Sequence, residues 1–531
     1  MADSLVERLL ATRPGYESER VQHRLQLDSY LGTGGFGGKP RHEASGYWGA
    51  AAEVYSQGNA ATLLDLRQET DLDTYLDRFP REDMPKFQRR VEASHYENVV
   101  APVVDIPLSY LFRKEYKREG LTDSLTAWLD EVDAEGNRWD YVMREVVALR
   151  AVVLGYCPVG YDTDDEGIVR MVPMLPAQVL DWRVGRGGRL SWAKVTRVFE
   201  DRETWDAKPA MRQVVTVWYE DRWERFELSQ ADNAGEWTVS MREEGRHDFG
   251  AVPLETLTYR PVQGERVRGV SLLHHVSSTA KRLFNYQSEL DEHIRQCVFA
   301  MLQVATKDGK IDPSLTSGSG NAIPIAGDSN RDHKWLSPPP DVAATLETRI
   351  KNAREAIFRQ GRVEFTNGTN AGGARSGLSR AFEFETTNRA IADFAGRIAR
   401  FEERSLRLVY RMQPGATEDG EREIRVIPPT RFAVQEMSQD LVDAEAAIAL
   451  PIGPTATTEL MKRVVRDMLP NLDADTYDQI ASEIEQQLAE REQAASAARA
   501  ELAAMGAAQD EPDDDDEEDE DEPDEGGDEA A

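Results

Sequence analysis

Cysteine is scarce in this sequence, and the residue spacings that usually hold metals are missing. Only two cysteines occur, Cys157 and Cys297, and no Cys-x-x-Cys pair is present. A disulfide framework is therefore not indicated, and neither is a thiolate zinc site. None of the eight histidines lies in a His-Glu-x-x-His spacing, so we expect no metal site.

Motifs for nucleotide binding and nucleophilic catalysis are also missing. The chain has no Gly-x-Ser-x-Gly sequence and no Walker-type phosphate loop. Its glycine-rich patch at residues 32–38 runs into Lys39-Pro40 and is not preceded by a hydrophobic strand. For this patch we expect a flexible arm that contacts a neighbouring subunit. We expect no catalytic residues and no bound cofactor.

Long apolar runs are absent as well. The longest, residues 147–156, is short and interrupted by Arg150, whereas a membrane helix needs roughly 18 apolar residues. The first residues lack the basic-then-apolar layout of a secretion signal. We therefore expect a chain that is made and used inside a cell and has no membrane segment.

Positive charge is in deficit over the whole chain. The net charge is −33, and residues 510–529 contain 16 acidic residues and no basic ones. Without that stretch the chain still carries −17. Tight DNA binders usually present a basic face, so the balance argues against that role. It does not argue against DNA passing close by, because an acidic wall repels phosphate and prevents sticking.

The first half of the chain predicts a mixture of helices and antiparallel strands. Residues 98–120 and 125–153 have helical spacing, the first ending in a cluster of basic residues (Arg113, Lys114, Lys117 and Arg118) and the second at Gly155. Alternating, β-rich segments then continue to about residue 261, separated by polar turns. The predicted class is α+β.

The second half predicts long helices. Apolar residues recur every three or four positions over residues 269–304, which indicates a helix of roughly 35 residues, about 50 Å long. An irregular segment follows at 306–340, then a helix at 341–362. A second long helix is predicted at 378–412, and helical segments continue to about residue 504.

Two groups of residues could carry function. The loop at 364–377 has four glycines and two asparagines, Asn367 and Asn370, and is bracketed by Arg362, Arg375 and Arg380. The acidic cluster Asp162, Asp164, Asp165 and Glu166 is bounded by glycines, and we interpret it as a solvated turn. Glu402 and Glu403 are flanked by Arg400 and Arg404, and ion pairing along the helix accounts for them.

Several short stretches occur in an informative order. They are NVVAPVVD at 98–105, ALRAVVLG at 148–155, CPVGY at 157–161, MLPAQV at 174–179, YRP at 259–261, RGVSLL at 268–273 and SGLSRA at 376–381. Over about residues 45–490, this ordered set resembles the portal family of tailed bacteriophages, in its siphovirus-type branch.

The resemblance implies a portal fold in seven parts. These are an α+β wing (45–266), a first stem helix (267–297), a clip (298–339), a second stem helix (340–362), a tunnel loop (363–377), a long helix returning to the wing (378–432) and a helical crown (433–505). Outside the resemblance we expect an N-terminal arm (1–44) and a disordered acidic tail (506–531).

The resemblance also implies a function. Portal subunits form a ring of about twelve copies at one capsid vertex, through which viral DNA is packaged and ejected. Expected partners are the terminase large subunit, a head-completion or adaptor protein, and the major capsid and scaffolding proteins. The protein would be assembled in the host cytoplasm and reside in the virion. Double-stranded DNA would touch Arg362, Asn367, Asn370, Arg375 and Arg380 without sequence specificity, and partners would dock on Lys307, Lys310, Arg331, Lys334 and Trp335.

Two other functions remain open from the sequence. One is an intracellular scaffold or adaptor whose long helices form a coiled coil, which predicts dimers or trimers. The other is a metal-dependent nucleic-acid enzyme built on Asp164 and Asp165, which predicts cleavage stimulated by Mg²⁺.

Overall fold

The computed structural model describes residues 2–37, 74–164, 166–201, 210–230, 237–298, 301–306, 322–326, 334–336, 341–362, 377–429, 458–459, 461–462 and 474–507. It divides into two compact units, Met1–Phe432 and Ala433–Ala531. The first unit contains helices and antiparallel sheets, so the α+β class is confirmed.

The helices of the first unit that precede its main sheets lie mostly in the core. They and one short strand are α1 (Ala2–Leu10), α2 (Tyr16–Leu31), α3 (Met84–Ala93), α4 (Ala101–Leu111), β1 (Lys117–Glu119), α5 (Asp123–Asp130), α6 (Trp139–Val142) and α7 (Leu149–Leu154). A π-helical segment, Met143–Ala148, joins α6 to α7. Gly155 ends α7 with a positive φ of 94°.

The strands that follow are β2 (Tyr156–Thr163), β3 (Val169–Pro173), β4 (Val179–Val184), β5 (Leu190–Asp201), β6 (Ala210–Tyr219), β7 (Arg222–Gln230), β8 (Trp237–Arg246), β9 (Leu254–Thr258), β10 (Arg260–Pro261) and β11 (Gly269–Val270). Strands β4 to β8 form a five-stranded meander in sequence order, and β3, β2 and β9 form a second antiparallel sheet. The predicted antiparallel β region is therefore present; β4 was not predicted.

Three long helices and a small sheet come next. The elements are α8 (Leu273–Val298), β12 (Met301–Thr306), β13 (Ala322–Ala326), β14 (Lys334–Leu336), α9 (Asp341–Gln360), α10 (Gly377–Met412), α11 (Glu418–Glu423) and β15 (Arg425–Ile427). Strand β12 lies between β13, which is parallel to it, and β14, which is antiparallel. None of the described helices is both apolar enough and long enough to cross a bilayer.

The main core joins the amino-terminal helices to α7, α8 and α10. Phe36, Trp139, Phe284 and Phe401 are all fully buried in one hydrophobic cluster. The glycine-rich patch thus differs from the expected arm, because Phe36 stacks within its own chain, 4.1 Å from the Tyr96 ring. Burying a large aromatic side chain such as that of Phe36 is more favourable than leaving it exposed on a mobile arm.

Helix α1 packs against one face of the five-stranded sheet. Leu9 packs with Val215, Phe226 and Leu228 in a separate cluster. The Nζ of Lys194 donates to the Arg8 carbonyl oxygen at 3.0 Å and also bonds the Ala11 carbonyl. A lysine here satisfies carbonyl groups at the helix C-terminus, which have no partner inside the helix.

Two helix predictions need correction. Lys117 and Arg118 do not end a helix but lie on β1, which pairs with β15. The helix predicted over residues 269–304 is shorter, with 26 residues from Leu273 to Val298. Its start is fixed because Gly269 and Val270 pair with β10, and because the Ser271 hydroxyl accepts the Leu273 N–H at 2.8 Å. Its end gives way to β12 at Met301.

In the second unit, helix α12 (Ala474–Ala507) is 34 residues long. Tyr477 donates its hydroxyl hydrogen to the Lys462 carbonyl at 3.2 Å, and Lys462 pairs with Glu485. The helix predicted from residue 476 to about 504 is therefore present. The predicted helix at 440–450 and the acidic tail lie outside the described residues.

Candidate DNA-contact and docking sites

Helices α8 and α9 form an antiparallel hairpin, called the helical hairpin below. Thr279, near the start of α8, donates to the Oε1 of Gln360 at the end of α9, at 3.1 Å. Two turns further along α8, the Tyr286 ring lies 5.8 Å from the Arg349 guanidinium. These contacts run in opposite directions along the two helices, as an antiparallel pair requires.

A single apolar seam holds the helical hairpin together. On α9 the buried residues are Leu346, Ile350, Ala353 and Ile357, which fall on one face at spacings of three and four. Arg354 on α9 and Gln287 on α8 both bond the same oxygen of Glu97, at 2.5 and 2.7 Å. Glu97 lies just before α4, so this carboxylate connects both helices to the core.

The far end of the helical hairpin, where α8 ends and α9 begins, exposes apolar side chains. Ile294 is 45% exposed, Val298 is 69% exposed and Val342 is 43% exposed. Ile294 continues the seam defined by Leu283 and Leu290, because these positions repeat at helical spacing. An apolar seam that runs on into solvent is a surface suited to another protein chain.

The small sheet of β12, β13 and β14 is inserted between the two helices of the hairpin, in the segment predicted to dock partners. Lys334 and Trp335 lie on β14, where Trp335 is in register with Leu302 and Lys334 with Gln303. Their side chains are not among those described. Lys307, Lys310 and Arg331 lie outside the described residues.

The near end of the helical hairpin closes with an unusual residue. Gly361 donates its N–H to the Ile357 carbonyl at 2.9 Å, and Arg362 follows with a φ of 58°, in the left-handed region. A side chain at Gly361 would stand 2.2 Å from the Val103 side chain. Left-handed backbone ends helices efficiently but is uncommon for arginine. Arg362 therefore leaves α9 at a sharply defined point.

Of the five residues predicted to contact DNA, Arg362 is the one whose side chain is described. It is exposed and lines a small apolar cavity of about 30 Å³ with Tyr259, Ile391 and Phe394. Arg380 lies in the first turns of α10, with its side chain outside the described set. Asn367, Asn370 and Arg375 lie outside the described residues.

Helix α10 turns one face to the core and carries a buried carboxylate. Ile391, Phe394, Ile398 and Phe401 are buried, as their spacing predicted. Glu402 is 1% exposed and forms an ion pair with Arg118 of β1, not with its helical neighbours Arg400 and Arg404. Burial raises the pKa of Glu402, and Arg118 opposes that rise.

The other glutamate of that pair, Glu403, follows the helical rule. Its Oε1 pairs with the Arg407 guanidinium, 2.7 Å away and one turn along α10. Both glutamates are thus ion-paired, but neither with the flanking Arg400 or Arg404: Glu403 pairs along the helix with Arg407, and Glu402 pairs with another element. The difference arises because Glu402 faces the core, where the guanidinium of another element offsets the cost of burying a charge.

The acidic turn after β2 has a structural explanation. Asp164 accepts the N–H of Glu166 at 3.0 Å and of Ile168 at 2.8 Å, and its other oxygen lies 2.9 Å from Arg170 Nε. The hydrogen bond from Arg170 lowers the pKa of Asp164. Asp164 thus holds the turn, as predicted. No three His, Cys, Asp or Glu side chains of the described residues are placed to share a metal ion.

A cavity of about 580 Å³ lies between the five-stranded sheet and the β2–β3 hairpin. Its lining combines valine side chains with polar and charged ones, and includes Trp218. Asp162 and Arg225, which also line it, pair at 3.2 Å. This pairing leaves no free carboxylate of that pair for acid–base chemistry.

A scan against protein-family models and a search of the curated proteins each gave no match to this chain. The case for a function therefore rests on the order of elements and on the two ends of the helical hairpin.

Proposed function

We propose that this chain is the subunit of a phage portal, a structural ring at one vertex of the capsid. The fold expected in detail has a wing, stem, clip, tunnel loop and crown. Viral double-stranded DNA would pass through the ring during packaging and ejection without being read for sequence. The role is structural, and no enzymatic step is assigned to the chain.

The helical hairpin carries this proposal. It departs from an α+β body, holds a small sheet at its far end, and returns to a 36-residue helix after a 14-residue interval that begins at residue 363. Such an insertion buries only one seam within a single chain, and the apolar residues Ile294, Val298 and Val342 stay exposed. Neighbouring copies arranged in a ring would cover them by a head-to-tail interface that closes on itself.

The charge distribution supports a channel for DNA over a tight DNA grip. A strongly acidic chain repels phosphate, and local arginines such as Arg362 supply a few contacts. DNA held this way can slide, since a small number of phosphate contacts gives weak and salt-sensitive binding.

Partners are expected at the segment between the two helices of the hairpin. The terminase large subunit would dock there during packaging, and a head-completion or adaptor protein afterwards. Lys307, Lys310, Arg331, Lys334 and Trp335 are the proposed contacts. The major capsid and scaffolding proteins would surround the ring in the virion.

The mass of the purified full-length protein tests the proposal. Native mass spectrometry should give a closed ring of about twelve subunits, and negative-stain images along its axis should show a central hole. A coiled-coil adaptor would instead give dimers or trimers. A protein that stays monomeric at high concentration would rule the portal function out.

A further inference from the structure

Three arginines from separate elements converge on Tyr259. The Arg260 guanidinium lies 5.7 Å from the centre of the Tyr259 ring, and Arg362 lines the same small cavity as that ring. The charges of Arg260, Arg362 and Arg397 all act on the Tyr259 hydroxyl. Burial raises the pKa of Tyr259, and these three cations oppose the rise. We call Arg260, Arg362, Arg397 and Arg400 the arginine cluster.

The fold fixes each member of the cluster. Arg260 lies on β10 and is in register with Val270 of β11. Arg362 ends α9, and Arg397 and Arg400 lie one turn apart on α10. The Tyr259 ring packs against the Phe394 ring, with ring centres 5.1 Å apart. The cluster is thus set on strands and helices, where side chains are better positioned than on loops.

Three members of the cluster are not paired with a carboxylate in the part of the chain that the structure describes. Among the described residues, Arg260, Arg397 and Arg400 form no ion pair, and Asp393 is the carboxylate whose charge acts most on Arg397. The Nε of Arg397 is buried without a hydrogen-bond partner. Burial, with the nearby charges of Arg400 and Arg260, lowers the pKa of Arg397.

The arginines further along α10 show the opposite arrangement. Arg404 lies 2.9 Å from Glu255, Arg407 lies 2.7 Å from Glu403, and Arg411 pairs with Glu421. The same helix therefore pairs Arg404, Arg407 and Arg411 with carboxylates near its C-terminal end, whereas Arg397 and Arg400, directly before them, form no ion pair among the described residues. A buried guanidinium donor without an acceptor costs free energy unless an anion from outside supplies one.

We infer that the arginine cluster is a binding site for phosphate groups, and that its ligand is the backbone of duplex DNA. Guanidinium groups bind phosphate through paired N–H donors, and such contacts carry no sequence information. Arg362 ends α9 just before residue 363, so the cluster extends the proposed DNA contacts into the folded body. The choice of DNA over free phosphate rests on the proposed portal function.

Binding of a fluorescein-labelled duplex of mixed sequence to the assembled full-length protein tests the inference. The Arg397→Gln and Arg260→Gln variants should each raise Kd about tenfold at low salt. Each should also reduce the slope of log K against log salt by about one. Arg397→Lys keeps the charge but loses the paired donors, so its Kd should lie between that of the unmodified protein and that of Arg397→Gln.

The matched control is Arg404→Gln, which removes one positive charge from the same helix but lies outside the cluster. Its Kd should stay within twofold of the unmodified protein. If Arg397→Gln and Arg260→Gln bind DNA as tightly as Arg404→Gln does, with unchanged melting temperatures, the inference is wrong. Inorganic phosphate is the second probe. If Arg397→Gln and Arg260→Gln change how much inorganic phosphate stabilises the protein but leave the Kd for DNA unchanged, DNA is not the ligand.

Native mass measured on the same samples separates this inference from the proposed function. If the protein forms a ring and the cluster variants bind DNA as tightly as the unmodified protein, the inference is wrong but the portal function is not contradicted. A protein that forms no ring, but loses DNA affinity in the cluster variants, would support the phosphate site and overturn the portal function.

Discussion

At the scale of single residues, a close approach of two backbone segments in the core is the crossing of Gly155 and Gly269. A β-carbon on Gly155 would stand 2.4 Å from the Gly269 carbonyl oxygen, and one on Gly269 would meet the Gly155 oxygen at the same distance. Gly155 also has a φ of 94°. Because the two backbone segments cross here, the residues before α8 pack directly on the end of α7. The helical hairpin is therefore anchored in the core.

Gly155→Ala should destabilise the first unit by roughly 2–4 kcal/mol, because it combines a backbone clash with an unfavourable φ. Gly396→Ala is the matched control. Gly396 is helical and a β-carbon there meets nothing within 4 Å, so alanine should be neutral or stabilising by about 0.5–1 kcal/mol. Urea unfolding followed by far-UV circular dichroism measures both, and equal midpoints for the two variants would contradict the crossing.

A second residue, His23 of α2, makes stability depend on pH. Burial is the main reason that the pKa of His23 falls to about 4, and Arg13 and Arg268 add to the decrease, whereas Glu19 and the bond to the Leu154 carbonyl oppose it. A lowered pKa means that the folded state prefers neutral His23. The stabilisation is therefore complete above pH 6.5, the ordinary value, and is lost as the pH falls toward 4.

The expected loss from His23 over this window is about 3 kcal/mol. His23→Gln keeps an N–H donor but does not titrate, so the unfolding free energy of the variant should fall less between pH 7 and pH 5 than that of the unmodified protein. His95→Gln, a substitution at an exposed histidine, is the matched control for the loss of a histidine side chain. Parallel profiles for His23→Gln and the unmodified protein would show that folding does not lower the pKa of His23.

At the scale of elements, hydrophobic spacing predicted the long helices well and their ends less well. The seam of α10 was predictable because Ile391, Phe394, Ile398 and Phe401 repeat along one face. The ends of α8 were not, because the same apolar residues also fit strands. Val270 and Met301 pair with partners distant in sequence, and helical periodicity cannot detect those partners.

Strand β4 and helix α2 show two other limits. Strand β4 is short, and Val179 and Val184 flank a polar centre, so its pairing with β5 depends on a hairpin with register shifts. Helix α2 lies within residues 1–44, which were expected to form an N-terminal arm. It is nevertheless buried, because Asp28 and Ser29 find hydrogen-bond partners in Tyr75 and Ser277. Buried polar helices of this kind follow from tertiary partners, which composition does not reveal.

The candidate site was predictable only in part. The sequence singled out Arg362 because it borders a glycine-rich loop, and the structure adds that it ends α9 in a left-handed conformation. It did not single out Arg260 or Arg397, which lie far apart in the chain. The arginine cluster exists because β10 and α10 meet at Tyr259. Arginines that come together only in the folded chain cannot be recognised as a group from local sequence.

At the scale of the whole molecule, the arrangement of apolar and charged surface bears on assembly. A chain with a net charge of −33 resists random association, so contacts between copies must be specific and apolar enough to overcome repulsion. The far end of the helical hairpin offers such a surface in Ile294, Val298 and Val342. Repulsion between acidic subunits also predicts that ring formation improves with salt, since screening weakens charge effects but not apolar burial.

Replacing Ile294 or Val298 with aspartate should therefore shift the native mass from the ring to the single subunit. The melting temperature of the subunit should hardly change, since both side chains are already exposed in one chain and surface substitutions usually change stability by less than about 0.5 kcal/mol. Ile168→Asp is the matched control, because Ile168 is 41% exposed, close to the 45% of Ile294, but lies on the β2–β3 turn. If all three variants keep the same ring, the far end of the hairpin is not the interface. If Ile168→Asp disrupts the ring as much as the others, added charge alone explains the loss. A ring that dissociates only in the Ile294 and Val298 variants identifies the helical hairpin as the surface through which copies of this chain associate.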